Sequence, residues 1–217
     1  MIRRRRAALL LTALSLTVGL TGCSREAAAP QTPMRVACVG DSITAGFGLA
    51  EPASAYPAQL QALLGSGYLV ENFGVNGAAA ADYADTPAYA ASLEFAPDVV
   101  VLMLGSNDAS AALWQDRAAF SGQYLALITA YQELGAQVIL CTPSSVYANS
   151  FGLREQPLQE ICAEIRELAQ ELELPLADIQ RFTAGHPEWY RQDGVHPDAD
   201  GAAAIAGAIC PMIADCA

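Results

Sequence analysis

Residues 35–46, RVACVGDSITAG, decide the fold: an apolar run, Arg35–Val39, leads directly into a glycine-bounded turn, Gly40–Gly46. The run is continuous rather than alternating, which is typical of a parallel β-strand covered on both faces. A serine that opens the next helix keeps its backbone N–H free of a helical partner. Ser42 could therefore be a nucleophile whose own amide stabilises an oxyanion, although Asp41 or Ser42 could equally serve only as a helix cap.

Similar apolar runs recur along the chain and alternate with longer, helix-like stretches. The predicted strands are Arg35–Val39, Tyr68–Phe73, Asp98–Leu104, Gln137–Cys141 and Pro175–Ile179. The predicted helices lie around Tyr56–Leu64, Pro87–Leu93, Arg117–Glu133, Pro157–Glu173 and Ala199–Ile209. This order predicts an α/β fold, a three-layer α/β/α sandwich around a mainly parallel five-stranded sheet.

Composition excludes several classes of protein. The 217 residues are 53% hydrophobic and 16% charged, which excludes a disordered or coiled-coil chain. The net charge is −12, all the basic residues are arginines, and four of these are Arg3–Arg6. Without those four the balance is 7 − 23 = −16, which repels nucleic acid and anionic membrane surfaces. We expect no nucleic-acid partner.

The N-terminus has the pattern of a secretion signal. Arg3–Arg6 precede an apolar run of 14 residues, Ala7–Leu20, which is shorter than the roughly 20 residues that a transmembrane helix needs. The run ends in Leu20-Thr21-Gly22-Cys23, which resembles the lipobox of bacterial lipoproteins, where the cysteine carries the lipid. An uncleaved anchor or an ordinary cleavage site near Ala27–Ala29 is the alternative.

The lipobox resemblance implies three segments. Residues 1–22 are the expected signal peptide, 23–33 a tether rich in Ala and Pro, and 34–217 the folded domain. Cys23 is the expected lipid attachment site, so the protein is predicted to lie outside the cytoplasm, lipid-anchored to the cell membrane or the outer membrane. This anchor is the only predicted membrane contact. Cys210 and Cys216 are close enough in sequence to form a disulfide in an oxidising compartment.

Three further motifs follow predicted strands or precede the last helix. They are Asn72–Gly77 (NFGVNG), Gly105–Asp108 (GSND) and Asp193–Pro197 (DGVHP). Glycine lets a backbone N–H approach a ligand, the asparagine amide is a neutral donor, and a histidine with a carboxylate three residues earlier can act as a base. Taken singly, each motif is explained as well by a turn. In parallel sheets, however, such loops meet at the carboxyl ends of the strands.

Together these motifs resemble the SGNH hydrolases, also called the GDSL esterase family, whose fold is flavodoxin-like. The resemblance spans Met34 to the C-terminus, and it implies a triad of Ser42, Asp193 and His196. It also implies an oxyanion hole formed by Ser42, Gly77 and Asn107. The register of the motif favours Gly77 over Gly74.

Other residues near these motifs are expected to have structural roles. Asp41 and Asp108 are predicted to brace loops, and His186 is read as structural because no carboxylate has the spacing seen at Asp193. The chain has only two histidines and no CxxC or HExxH spacing, so no metal site and no cofactor are expected.

The substrate is less clearly indicated. The segments Thr86–Leu93, Cys141–Pro143 and Gly185–Trp189 resemble a subgroup of carbohydrate-directed acetylesterases. The expected substrate contacts, each of which could instead be a packing or turn residue, are Trp114, Ser144, Ser145 and Tyr147.

These features predict a serine esterase that removes acetyl or other short acyl groups from a small-molecule or oligosaccharide ester. Two alternatives remain open. One is a lysophospholipase or thioesterase acting on lipid-like acyl esters, which the same fold supports. The other is a non-catalytic, glycan-binding lipoprotein. The oligomeric state is not indicated by the sequence.

Overall fold

The computed structural model describes residues 32–148 and 151–214. Five parallel strands form one sheet in the order β2-β1-β3-β4-β5. The strands are β1 Met34–Gly40, β2 Tyr68–Gly74, β3 Val99–Met103, β4 Gln137–Cys141 and β5 Leu176–Ala177. The predicted fold class, a parallel five-stranded sheet with helices on both faces, is confirmed.

Among the described residues, seven α-helices connect or follow the strands. They are α1 Ser42–Ala45, α2 Tyr56–Leu64, α3 Pro87–Glu94, α4 Arg117–Glu133, α5 Glu155–Glu171, α6 Ile179–Thr183 and α7 Ala199–Ala214. Short 3₁₀ turns occur at Pro52–Ser54, Gly65–Gly67, Tyr83–Asp85, Asn107–Ala109 and Pro187–Trp189. The helices of the described ranges include none that is long and apolar enough to cross a bilayer.

The core has two halves because successive residues of a strand point to opposite faces of the sheet. On β1, Ala37 and Val39 belong to the half covered by α4 and α5, whereas Val36 and Cys38 belong to the half covered by α2 and α7. All four side chains are fully buried. This two-sided burial explains why the central strands read as continuous apolar runs.

The two edge strands depart from that pattern. The edge strand β2 has a neighbour on one side only, and none of its residues is fully buried; Leu69, Glu71 and Asn72 are exposed. The prediction of a strand over Pro175–Ile179 is wrong at its C-terminal end, because β5 ends at Ala177. The side chain of Asp178 accepts a hydrogen bond from the backbone N–H of Arg181, which caps α6 and ends the strand at Ala177.

Helices α3, α5 and α7 also differ from the prediction at one or both ends. Helix α5 begins at Glu155 rather than Pro157, because a proline in the first turn lies where the backbone N–H needs no helical partner. Helix α7 continues through Pro211 to Ala214, and the buried Ile213 extends its apolar face. The predicted signal peptide, tether and lipid site at Cys23 lie outside the described residues, as does Cys216, the residue that could pair with Cys210.

The register of the sheet brings three loops to one edge. Gly40, the last residue of β1, pairs with Gly74 at the end of β2 and with Met103 at the end of β3. The loops that follow these three strands therefore start level with one another. Ser42, Gly77 and Asn107 follow the ends of β1, β2 and β3, as the sequence predicted.

Candidate active site

Ser42 is held where β1 turns into α1. Gly40 is required there, because a Cβ atom would lie 2.1 Å from Thr44 Oγ1 and 2.6 Å from the Met103 carbonyl oxygen. The carboxylate of Asp41 accepts a hydrogen bond from the backbone N–H of Ile43 at 2.9 Å and so caps α1. The turn therefore leaves Ser42 as the first residue of the helix, with only 9% of its surface exposed.

A hydrogen-bonded chain of three side chains begins at this serine. Ser42 Oγ lies 2.9 Å from His196 Nε2, and His196 Nδ1 lies 3.0 Å from Asp193 Oδ2. The imidazole is 5% exposed. A proton on Nδ1 is thus directed at the carboxylate, which leaves Nε2 free to accept the hydroxyl proton.

Backbone contacts fix the loop that carries His196. Asp193 Oδ1 accepts hydrogen bonds from the backbone N–H groups of Val195 and His196, both at 2.9 Å. The backbone N–H of Tyr147 donates to the Gly194 carbonyl at 2.8 Å, which ties this loop to the one after β4. Gly194 has φ +71° and a Cβ there would lie 2.4 Å from the Ala148 carbonyl oxygen, so only glycine fits.

The loop that contains Gly77 is bonded to the loop after β3. The Asn107 side-chain amide donates to the Ala78 carbonyl at 2.9 Å. Both carboxylate oxygens of Asp108 lie 3.1 Å from the backbone N–H of Ala80, which donates to them. Asp108 and Asp41 therefore hold loops in place, as predicted, and it is Asp193 that is hydrogen-bonded to the His196 imidazole.

Gly74 and Gly77 have different surroundings. A Cβ on Gly74 would lie 2.2 Å from the backbone nitrogen of Ala45, so this glycine serves the contact between β2 and α1. Gly77 has φ +82° and open space where its Cβ would be. It lines the same cavity as Ser42 and Asn107. The choice of Gly77 for a role at the site is consistent with this placement and stays a prediction.

Three carboxyl groups near the site titrate differently. Burial raises the pKa of Asp41 and that of Asp108 to about 6. Burial also acts to raise the pKa of Asp193, but hydrogen bonds from the His196 and Val195 backbone and from the imidazole hold that pKa below its usual range. Asp193 is therefore the carboxyl of the three best suited to remain charged beside an imidazolium.

Ser42 and His196 line an open cavity of about 310 Å³. Its polar lining is Ser42, Asn76, Gly77, Ser106, Asn107 and His196, and its apolar lining is Phe47, Phe151, Leu153 and Val195. The rings of Phe47 and Phe151 lie 4.7 Å and 5.2 Å from the imidazole of His196, measured between ring centroids. They are 44% and 51% exposed, so they form an open apolar rim beside the histidine.

The sequence motifs did not predict this apolar rim. Phe47 follows α1 directly, but nothing in its local pattern separates it from an ordinary loop residue. Phe151 and Leu153 lie in a loop with no motif, and they reach the cavity only because the chain folds back after β4. A hydroxyl, an imidazole, a carboxylate and neutral donors around an open cavity can together carry out nucleophilic attack on a carbonyl group.

The predicted substrate contacts lie outside this cavity. Trp114 packs against the core beneath α4 and lines a separate small hollow with Phe120. Ser144 is buried, and Ser145 and Tyr147 line a second, larger cavity. Their roles as substrate contacts stay predictions.

His186 has a carboxylate partner that the sequence spacing did not suggest. The 3₁₀ turn Pro187–Trp189 brings Glu188 Oε1 to 2.9 Å from His186 Nδ1. The imidazole also stacks on Trp189, with 3.9 Å between ring centroids. This pair lies on the surface, so the two histidines of the chain have different environments.

Cys38 and Cys141 are free and buried in the strands, as small apolar residues would be. Burial raises the pKa of the Cys38 thiol to about 12. Within residues 32–148 and 151–214, no group of three or more His, Cys, Asp or Glu side chains is placed to hold a metal ion.

Comparisons with known proteins identify the family of this chain. A model of the GDSL-like Lipase/Acylhydrolase family matches residues 38–204. The acetylxylan esterase of Xylanibacter ruminicola is 33% identical over 206 residues, covering 83% of this chain and 43% of that protein. The chain thus spans less than half the length of this relative.

Solved structures have the same fold. The lipase/acylhydrolase from Enterococcus faecalis is 27% identical with a TM-score of 0.69, covering 83% of this chain and 95% of that one. An acetyl xylan esterase is 26% identical with a TM-score of 0.68, covering 83% and 100%. The family match runs from β1 through the Ser42 turn and past His196 into α7. The chain therefore belongs to the GDSL-like lipase/acylhydrolase family, a family of carboxylic ester hydrolases.

Proposed function

We propose that this protein is a serine esterase that removes acetyl or other short acyl groups, with carbohydrate as the alcohol part of the ester. The observation that carries the proposal is the chain from Ser42 Oγ through His196 to Asp193, with contacts of 2.9 Å and 3.0 Å, beside an open cavity. The names of the acetylxylan esterase relatives support the choice of acetyl and of carbohydrate.

In the first step, His196 Nε2 takes the hydroxyl proton while Ser42 Oγ bonds to the carbonyl carbon of the ester. The carbonyl oxygen becomes an oxyanion. The backbone N–H groups of Ser42 and Gly77 and the amide of Asn107 are the proposed donors to it. The C–O bond to the alcohol then breaks, and the imidazolium gives its proton to the departing oxygen.

In the second step, water attacks the acyl-serine. His196 accepts a proton from that water, and the second tetrahedral intermediate collapses with release of the carboxylic acid. The proton returns to Ser42 Oγ. Throughout, the role of Asp193 is to hold the proton on Nδ1 and to stabilise the imidazolium, since its lowered pKa keeps it charged.

The lipid-directed alternative has one specific observation in its favour. The cavity of about 310 Å³ is roughly ten times the ~30 Å³ share of one water molecule, and Phe47 and Phe151 border it. It therefore has room for an acyl group longer than acetyl. A non-catalytic glycan-binding role has no such support, because a binding module needs no aligned serine, histidine and aspartate.

The decisive assay uses p-nitrophenyl acetate, butyrate and octanoate with the wild type and Ser42→Ala. We expect a preference for acetate and loss of turnover in Ser42→Ala, because the nucleophile is removed. Ser121→Ala, on α4, is the matched control and should keep wild-type rates. A preference for octanoate would favour the lipid-directed alternative, and full activity of Ser42→Ala would overturn the proposed nucleophile.

We also propose that Cys23 carries a lipid that anchors the protein outside the cytoplasm, on the basis of the Leu20–Cys23 motif. Growth with a clickable palmitate analogue should label the wild type but not Cys23→Ser. Cys210→Ser serves as the control and should still be labelled. Equal labelling of Cys23→Ser and the wild type would contradict the anchor.

A further inference from the structure

A second cavity of about 500 Å³ lies beside the candidate active site, and we call it the distal pocket. It lies between the loop after β4, the start of α5 and the start of α6. Six of its lining residues matter here: Tyr147, Leu153, Arg154, Leu158, Gln159 and Gln180. Its volume is in the range of about 300–1,000 Å³ that is usual for ligand sites.

The distal pocket adjoins the cavity that contains Ser42. Leu153 lines both cavities, so one side chain forms the wall between them. The backbone N–H of Arg154 donates to the Ala109 carbonyl at 3.1 Å, which joins this wall to the loop that carries Asn107. Neither cavity is enclosed, so an extended substrate can lie across Leu153 and occupy both.

The opposite wall is joined to the histidine loop. The backbone N–H of Tyr147 donates to Gly194 at 2.8 Å, and Gly194 lies between Asp193 and His196. The distal pocket is thus built on the same loops that position the proposed catalytic side chains. Its distance from Ser42 is set by backbone hydrogen bonds rather than by flexible side chains.

The lining of the distal pocket is mostly polar. Gln180 Oε1 accepts a hydrogen bond from Arg166 at 2.7 Å, and Arg166 is itself held by two 2.8 Å bonds to Asp178. This anchors the amide of Gln180 with its Nε2 donor group still available, since no acceptor for it occurs among the described residues. Gln159 and the guanidinium of Arg154 add exposed donors and an acceptor.

Apolar carbon surface completes the lining. Leu153 and Leu158 lie beside the amide and guanidinium groups. A sugar presents the matching combination, with hydroxyl groups that donate and accept hydrogen bonds and C–H faces that pack on apolar carbon. A hydrocarbon chain would instead remove the water from these polar groups without replacing their hydrogen bonds, which is unfavourable.

We propose that the distal pocket binds the carbohydrate alcohol portion of the ester, one or more sugar units away from the acetylated hydroxyl. The proposal rests on the proposed function of Ser42. The acyl group occupies the cavity with the apolar rim of Phe47 and Phe151. The alcohol portion extends past Leu153, where Arg154, Gln159 and Gln180 bind its hydroxyl groups.

The test compares two esters in the full-length chain. Acetylated xylo-oligosaccharide can reach the distal pocket, whereas p-nitrophenyl acetate is too short to do so. The variant Gln159→Leu/Arg154→Met keeps side-chain volume but removes hydrogen-bonding groups. The control Gln170→Leu makes the same glutamine change at an exposed position of α5 outside the distal pocket.

We expect kcat/KM for the oligosaccharide to fall by about 10–30-fold in the pocket variant, mainly through KM, because each lost hydrogen bond typically costs about fivefold. Turnover of p-nitrophenyl acetate should be unchanged, and the control should match the wild type on both esters. An unchanged KM for the oligosaccharide would overturn the proposal. If Arg154→Met also slows hydrolysis of p-nitrophenyl acetate, the single variant Gln159→Leu decides the test. Its kcat/KM for the oligosaccharide is expected to fall about fivefold.

A binding measurement separates this proposal from the proposed function. Isothermal titration of Ser42→Ala with acetylated xylo-oligosaccharide does not depend on catalysis. Binding that weakens at least fivefold when Gln159→Leu is added supports the distal pocket, even if the wild type hydrolyses no ester. Absence of binding, or binding that Gln159→Leu leaves unchanged, refutes it. If only the proposed function is wrong, the wild type will not hydrolyse p-nitrophenyl acetate.

Discussion

Replacement of Asp193 by asparagine should nearly abolish catalysis while leaving the loop folded. Asp193 Oδ1 accepts two backbone N–H groups at 2.9 Å, so the carbonyl oxygen of an asparagine must take that position. Its NH₂ group then replaces Oδ2 and faces His196 Nδ1, 3.0 Å away. An NH₂ group can only donate, so the neutral imidazole must carry its proton on Nε2.

That tautomer directs an N–H at Ser42 Oγ, 2.9 Å from Nε2, and cannot accept the hydroxyl proton. The same change in a serine triad lowers kcat by about 10⁴-fold, which equals about 5.4 kcal/mol of activation free energy. The free energy of unfolding should fall by about 1 kcal/mol only, because the two backbone hydrogen bonds remain.

The assay is steady-state hydrolysis of p-nitrophenyl acetate at pH 7, together with urea unfolding. Asp198→Asn is the matched control, because Asp198 also accepts a backbone N–H, from Gly201 at 2.9 Å, but lies outside the hydrogen-bonded chain. It should keep wild-type kcat. A kcat for Asp193→Asn within tenfold of the wild type would refute the argument that Asp193 selects the tautomer of His196.

The pH dependence of unfolding provides a second check on the same variant. The pKa of Asp193 is lowered in the folded protein, so its charge contributes stability above the unfolded pKa of about 3.9. This contribution is lost as the pH falls through the folded pKa. The stability difference between wild type and Asp193→Asn should therefore shrink as the medium is acidified below about pH 4.

Asn107→Ala should lower kcat by about 10²–10³ if the amide binds the oxyanion, and unfolding free energy by about 1 kcal/mol, since the bond to the Ala78 carbonyl is lost. An unchanged kcat for p-nitrophenyl acetate would remove Asn107 from the oxyanion hole. Asp108→Asn should flatten the pH dependence of urea unfolding between pH 4 and 6. Burial raises the pKa of Asp108 to about 6, so its contribution to stability is present below about pH 4 and is lost as the pH rises. Over this range the wild type should lose up to about 3 kcal/mol relative to the variant, and parallel curves would contradict the buried carboxyl. Phe151→Ala should raise KM for p-nitrophenyl octanoate about fivefold more than KM for the acetate. Phe151 lines the cavity and is 51% exposed, so this apolar surface is available to an acyl chain. Equal effects on both esters would show that Phe151 does not contact the acyl group.

The central strands and the long helices could be predicted because their signals are local. Helix α4 was predicted with both ends correct, since Arg117–Glu133 has an apolar stripe and Asp116 caps its start. The strand β4 was likewise predicted at Gln137–Cys141, where four consecutive residues are buried. β5 was less predictable, because an edge strand of two residues is defined by its neighbour β4 rather than by its own composition.

The site was predictable to the extent that its residues lie in short motifs. Three segments each combine a turn with a chemically active side chain: Gly40–Ser42, Gly105–Asp108 and Asp193–His196. Such combinations can be recognised in a single sequence. The apolar rim of Phe47 and Phe151 has no such pattern. Neither does the position of Trp114, whose packing against the core depends on α4.

The sequence by itself determined the order of strands and helices, the family, and the residues able to act as nucleophile, base and donor. Only the tertiary structure decided which of them meet. Ser42 and His196 are 154 residues apart, and their 2.9 Å contact depends on the register of β1 with its neighbours and on the loop held by Asp193. The cavity walls were decided in the same way, because Leu153 and the Asn107 loop meet through backbone hydrogen bonds between distant segments. Local patterns encode turns and amphipathic faces, whereas the shape of a cavity is a sum of long-range packing contacts.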